Sequence, residues 1–307
     1  MNSLYRDQVR LLLRILPVIY QVEDFAIHGG TAINLFIHDL PRYSVDVDLT
    51  YIPLGSREES LSDMDKKLSF ISGQVKRAVP GIFIKPLPNK LLCTLGRSTV
   101  KIEVNGIKRG IIGQTVELSL CKKAQEEFGM FCKARIVPLS QLYGGKISAA
   151  LNRQHPRDLF DYKYMDSSKI DNLKYGFMFA LLGSDKPFIE SLSPNPIDQQ
   201  AALENQFRGM STIPFVYEDY QSVRNQLIVF INSILNENDK GFLISFEEGN
   251  PLWENSEYND FEDFPSIQWK LFNINELKAR NQAKHKLGVE KLKAYFGRQI
   301  LIPENNK

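Results

Sequence analysis

The chain has 307 residues, a formal charge of +2, and 43% hydrophobic against 24% charged residues. That composition belongs to an ordinary globular protein, excludes a disordered chain, and leaves any nucleic-acid contact to a local patch rather than to net charge. No run of about 18 apolar residues occurs, which excludes a helical membrane span, and the length suits one large unit or two domains of roughly 100–200 residues.

The first segment, Leu4 to about Tyr20, repeats apolar residues at helical spacing and carries Arg6, Arg10 and Arg14 through its apolar stretch. It reads as an amphipathic helix rather than a signal peptide. FAIH (25–28) is a short strand that ends in Gly29-Gly30, and Thr31 is placed to cap the helix that AINLFI begins. SVDVDLTYI (44–52) alternates strictly and predicts a second strand. A helix rich in Lys and Asp follows from about Arg57 to Arg77 and stops at Pro80-Gly81.

Further strands are expected at 81–87, 90–96, 99–106 and 134–139, extending one sheet. From Ser140 the pattern turns helical, through QLYGGKISAALNR and then PRDLFDYKYM, where Pro156 suits a first helical turn. Gly144-Gly145 is poor helix-forming chemistry and predicts a helix start delayed to Lys146. The remainder reads as helices of moderate length. Seven acidic residues between Glu247 and Asp263 occur without Lys or Arg, and Lys270 to Arg298 then holds eight Lys or Arg against two Glu. A loop packed against a solvated helix is the plain reading of that shift, and a basic surface for RNA the sharper one.

Cys93, Cys121 and Cys132 form no CxxC pair and are odd in number, which points to a reducing, cytoplasmic compartment without a zinc site or disulfide framework. His28 and His38 lack ligand partners at metal spacing and read as packing or polar-contact residues.

Chemistry concentrates in one stretch. Arg42, Ser44, Asp46 and Asp48 are spaced by two, so an extended backbone sends all four side chains to one face while Val45, Val47 and Leu49 face the core. Two carboxylates side by side repel each other, and a shared hard cation such as Mg²⁺ offsets that charge. Upstream, the glycine pair lets backbone N–H groups approach a phosphate closely. Together the two features predict a phosphate cradle and a metal pair within twenty residues.

GGTA followed by R-x-S-x-D-x-D, here Arg42, Ser44, Asp46 and Asp48, resembles the signature of the bacterial AbiEii/AbiGii toxin family within the polymerase-β-like nucleotidyltransferases. The resemblance covers two motif regions that bracket residues 25–165. It implies an α+β fold, with a polymerase-β-like core of a short mixed sheet flanked by helices (residues 1–139) and a mainly helical C-terminal part (140–307). It also implies a third carboxylate on a later strand, for which Glu103 in TVKIEVNG is the choice, with Lys101 on the same face. The family's second motif pairs a helical lysine with R-D-x-x-D, here Lys146 with Arg157, Asp158 and Asp161.

Lys146, Ala150 and Arg153 share a helix face able to carry two cations toward a triphosphate. The expected site is therefore Asp46, Asp48 and Glu103 on Mg²⁺ or Mn²⁺, with Gly29, Gly30, Thr31, Arg42, Ser44, Lys146, Arg153 and Arg157 around the nucleotide. Asp158 and Asp161 would position Lys146 or the base and sugar. The implied reaction is in-line attack of an acceptor hydroxyl on the α-phosphorus of an NTP, with Glu103 or a metal-held hydroxide taking the proton. The resemblance further implies a toxin acting on RNA, tRNA in particular, under a cognate antitoxin. A nucleotide-binding or partner-binding module without turnover, and transfer to protein or small-molecule acceptors, are the alternatives.

Overall fold

The computed structural model describes residues 3–299, without the side chains of Lys169, Arg298 and Gln299. Helix α1 (Ser3–Tyr20) buries one apolar face, from Val9 to Ile19. It leads into β1 (Phe25–His28), and Gly29, at φ +71°, turns the chain sharply into α2 (Gly29–Ala32) and a π-helical turn, Ile33–Ile37. His28, not Thr31, occupies the position before this helix, so Thr31 is its third residue and caps nothing. Its hydroxyl is instead turned sideways, donates to the backbone oxygen of Asp46 (2.5 Å) and lies 3.1 Å from Ser44 Oγ.

Strand β2 (Asp46–Tyr51) begins two residues later than the alternation suggested, so Arg42 and Ser44 lie ahead of it, Arg42 in an isolated bridge to Ser211. Helix α3 (Arg57–Ala78) is capped by Ser56, whose Oγ accepts from Glu59 N at 3.2 Å. Strands β3 (Phe83–Leu87), β4 (Lys90–Leu95) and β5 (Ser98–Val104) form a meander, and β6 (Val116–Ser119), α4 (Lys122–Phe128) and β7 (Lys133–Ile136) complete the sheet-bearing part. The strands form one mixed seven-stranded sheet in the order β3-β4-β5-β2-β1-β7-β6, with β2 parallel to β5 and antiparallel to β1.

The alternation in β5 explains the two faces of the sheet. Val100, Ile102 and Val104 are fully buried, like Val47 and Leu49 of β2, while Lys101 and Glu103 share the other face with Asp46 and Asp48. Helices α1 and α3 pack on the apolar face.

The helical part comprises α5 (Leu139–Arg153), α6 (Pro156–Lys163), α7 (Leu173–Leu182), α8 (Phe188–Leu192), α9 (Gln200–Ala202), α10 (Tyr217–Ile234), α11 (Glu237–Glu247), α12 (Pro265–Arg280) and α13 (Gln282–Gln299). Helix α5 runs unbroken through Gly144-Gly145 rather than starting at Lys146. The reason is packing. A Cβ on Gly144 would lie 2.1 Å from the carbonyl carbon of Gly176, so the glycine is what lets α5 and α7 cross with backbones in contact.

The charge shift near the end is used largely within the molecule. Lys278 donates to Glu248 O, Lys293 pairs with the Glu248 carboxylate at 2.7 Å, and Arg280 pairs with Glu276. Lys270 is buried, donating to the backbone oxygens of Leu181, Ser184 and Lys186 at the end of α7. Lys284, Lys286 and Lys291 remain on the exposed side of α13, and the side chain of Arg298 lies outside the described residues. Among the described residues no helix is long and apolar enough to cross a membrane.

Candidate active site

Sheet register brings the carboxylates together. His28 of β1 pairs with Asp48 of β2, Asp48 with Glu103 of β5, and Glu103 with Lys90 of β4, so four adjacent strands present His, Asp, Glu and Lys in one row. Asp46 stands one step along the same face, opposite Lys101. Gly29 closes the row from above: a Cβ there would lie 2.8 Å from Asp48 Oδ2, and one on Gly30 would lie 2.7 Å from Arg42 Nη2 and 3.0 Å from Ser44 Oγ. The glycine turn is therefore pressed against the acidic strand, and no larger residue fits without moving it.

Burial raises the Asp48 carboxyl above its ordinary value, and Asp46 and Glu103 add to the rise while Lys101 and Lys146 oppose it. Burial would raise Glu103 too, but Lys101 (2.6 Å) and Lys90 (2.8 Å) hold it below the usual range. A desolvated carboxylate flanked by two others is a site that a hard cation stabilises. Among the described residues no three His, Cys, Asp or Glu side chains stand together as a complete metal cage. Mg²⁺ does not need one, since it is commonly held by one or two carboxylates plus substrate phosphates. Asp46 and Asp48 fit that role, and Glu103 joins them only by leaving its two lysines.

Behind the glycine turn lies a buried ion network. Asp161 accepts from Arg42 Nε (2.7 Å), Arg42 Nη2 (2.6 Å) and Asn34 Nδ2 (3.0 Å), and pairs with Lys146 Nζ at 2.8 Å. Asp158 takes Lys146 at 3.0 Å and Arg153 Nε at 2.5 Å. Burial alone would raise both carboxyls, yet Lys146 with Arg153 at Asp158, and Arg42 with Lys146 at Asp161, hold them below their ordinary value. Asn34 also donates to Gly30 O at 2.9 Å, which ties the network to the glycine turn itself. The Lys146 ammonium is thus held between two carboxylates, buried, and is not directed at an incoming phosphate as the spacing suggested. Arg42 is likewise closed off, with its third nitrogen on Tyr43 O. Arg157 sits half-buried on the first turn of α6, outside the ion pairs of this network.

In front of the row opens a cavity of about 680 Å³. Asp48, Glu103 and His28 line it together with Arg57, Lys108 and Arg153, and with Ser148, Asn152, Phe179 and Ser266 from the helical part. Arg57, Lys108 and the lining from the helical part were not foreseen. Lys108 is set by an Asx turn in which Asn105 Oδ1 accepts from the N–H of Ile107 and Lys108, both at 2.9 Å, and the Asn-Gly pair at 105–106 is the sequence signal for it. His28 is a wall residue rather than packing: its Nδ1 is buried without a partner among the described residues, and burial with Lys146 and Lys108 nearby lowers its pKa to about 4. His38 does make the polar contact expected of it, at 3.0 Å from the Tyr143 hydroxyl.

Comparison with known proteins bears on the fold and the family. No curated protein matches the chain in sequence. Among solved structures the fold is similar to MenT4, a nucleotidyltransferase toxin from Mycobacterium tuberculosis H37Rv, with a TM-score of 0.58 at 13% identity over 89% of this chain and 95% of that one. The sequence profile of the nucleotidyl transferase AbiEii toxins of type IV toxin–antitoxin systems matches residues 10–270. With that profile spanning most of the chain, the glycine turn and acidic strand included, the protein belongs to the AbiEii nucleotidyltransferase toxin family.

Proposed function

We propose that the protein transfers a nucleoside monophosphate from an NTP to a hydroxyl of an RNA acceptor, tRNA being the expected class, with Mg²⁺ or Mn²⁺ at Asp46 and Asp48. The observation that carries this reading is the desolvated Asp48, held between Gly29 and Glu103 at the mouth of a cavity flanked by Arg57, Lys108 and Arg153. A bound divalent cation supplies charge neutralisation between the attacking oxygen and the phosphate. The chain does the rest. Gly29 and Gly30 let the turn close onto Asp48, Arg42 and Ser44 and so set the acidic strand beside the nucleotide, while Arg57, Lys108 and Arg153 offer cations to the phosphate oxygens. Glu103, once freed from its lysines, accepts the proton of the attacking hydroxyl.

In this reading Arg42, Lys146, Asp158 and Asp161 are positioning residues, which lock α2, α5 and α6 behind the turn, and Thr31 and Ser44 fix the start of β2. We further take residues 1–139 as the catalytic core unit and 140–307 as the unit that walls the donor cavity. The site is that of a cytoplasmic toxin restrained by a separately made antitoxin.

Incubation with each α-labelled NTP, Mg²⁺ and total RNA, resolved on a gel, tests donor and acceptor together. Labelled RNA is expected from wild type, and loss of one carboxylate in Asp46→Ala should cost at least about 10²–10³-fold in rate. Asp46→Ala labelling RNA at wild-type speed ends the proposal. NTP binding without pyrophosphate release favours the alternative of a non-catalytic module, and labelled protein in place of RNA reassigns the acceptor. Expression in growing cells should arrest growth for wild type and not for Asp48→Ala.

A further inference from the structure

On the apolar face of the sheet, away from the carboxylates, α1 meets the turn between β4 and β5 in a notch of about 360 Å³. Arg10, Arg14 and Arg97 line it, together with Asp7, Leu11 and Leu95. Arg10 shares its charge with Asp7 at 3.2 Å. Arg14, half-buried, and Arg97, exposed, have no hydrogen-bond or ion-pair partner among the described residues. The neighbouring Arg6, by contrast, is paired with Glu127. Two unsatisfied guanidinium groups facing one concavity, with a single carboxylate to oppose three arginines, form an anion site. The planar fork of arginine matches phosphate oxygens in particular.

Position narrows the ligand. Ser98, at the notch, and Glu103, in the carboxylate row, lie towards opposite ends of β5, about 17 Å apart at the rise of a strand and on opposite faces. No mononucleotide spans that distance around an edge, whereas a polynucleotide carries a phosphate every few ångströms along its length. We propose that the Arg10/Arg14/Arg97 notch grips a backbone phosphate of the RNA acceptor, remote from the reacting hydroxyl. The inference rests on the reading of an RNA acceptor and adds a surface to it. The notch makes no contribution to the donor NTP, which binds on the other face.

The test uses the full chain with Arg14→Gln/Arg97→Gln, the charge-retaining Arg14→Lys/Arg97→Lys, and Lys76→Gln/Arg77→Gln on α3 as an equal-charge control. RNA affinity is measured over a salt series, and the KM values for RNA and NTP are measured beside it. The glutamine pair should weaken RNA binding about tenfold near 0.1 M salt and reduce the slope of log K against log salt by about 0.7, for one lost single-strand phosphate contact. KM for RNA should rise with it while kcat and KM for NTP stay put, and the lysine pair should fall between the two. Unchanged RNA affinity and slope in the glutamine pair overturns the proposal, as does an equal loss in the α3 control, which would mean only net charge. Inorganic phosphate binding to wild type as tightly as RNA does, and lost in the glutamine pair, reassigns the notch to a free anion. Wild type that releases pyrophosphate from an NTP yet does not bind RNA overturns the notch while leaving nucleotidyl transfer intact.

Discussion

Asp161 is where the polar interior converges: Arg42, Asn34 and Lys146 all reach it, and it is buried. Removing one member of a buried ion network leaves the others uncompensated, at about 3–5 kcal/mol. Asp161→Asn should therefore lower stability by that amount in urea unfolding at pH 7, and a loss under 1 kcal/mol would show the network to be dispensable. The pH dependence follows from the same carboxylates. Asp158 and Asp161 are held below their ordinary value in the folded state, so the unfolded chain takes up protons near pH 4 while the folded one does not. Their stabilisation is present above the unfolded pKa and is lost as pH falls through the folded pKa. Unfolding free energy should drop as pH falls below about 4, less steeply in Asp161→Asn, and parallel profiles would contradict the assignment. The i, i+3 pair was legible in the sequence, but which aspartate does what was not, because the deciding partner of Asp161 is Arg42, 119 residues upstream.

Among the elements, two glycine pairs do opposite things. The Gly29-Gly30 turn was legible, because a strand, two glycines and an apolar helical run describe a local event. Gly144-Gly145 was misread, because its reason is the non-local crossing of α5 and α7. Gly144→Ala pushes a Cβ into the backbone of Gly176 and should destabilise by at least the upper end of the usual overpacking cost of about 1–3 kcal/mol, read as a fall in thermal midpoint. Gly29→Ala strains a positive-φ position and crowds Asp48 Oδ2. It should lower nucleotide transfer at least about tenfold while costing about 1–2 kcal/mol of stability, and full activity in a folded Gly29→Ala protein would detach the turn from catalysis. Strand β6 and helix α4 were not foreseen. Four residues at a sheet edge carry too little alternation to register as a period, and α4 is only seven residues long.

For the whole molecule, the single sheet and the helical second half could be read from alternation and helical spacing, while the α+β fold was what the family resemblance implied. The cavity beside the carboxylate row could not, since Phe179 and Ser266 in its lining come from helices more than seventy residues beyond Glu103. The proposed division after residue 139 crosses the Arg42, Lys146 and Asp161 network, and buried apolar side chains from Val9 to Phe296 form one cluster. The chain should accordingly unfold in a single cooperative transition by circular dichroism and tryptophan fluorescence, and two separated transitions would show that the units fold independently.

The central claim is that the Asp46/Asp48 strand drives nucleotidyl transfer. It is tested most directly by pyrophosphate release from each NTP in the presence of Mg²⁺ and RNA, comparing wild type with Asp48→Asn, whose shape is nearly unchanged. The account predicts release by wild type with one NTP preferred, and a fall of at least about 10²-fold in a variant that unfolds at the wild-type urea midpoint or above it, because the desolvated charge is gone. Undiminished release by folded Asp48→Asn would contradict it.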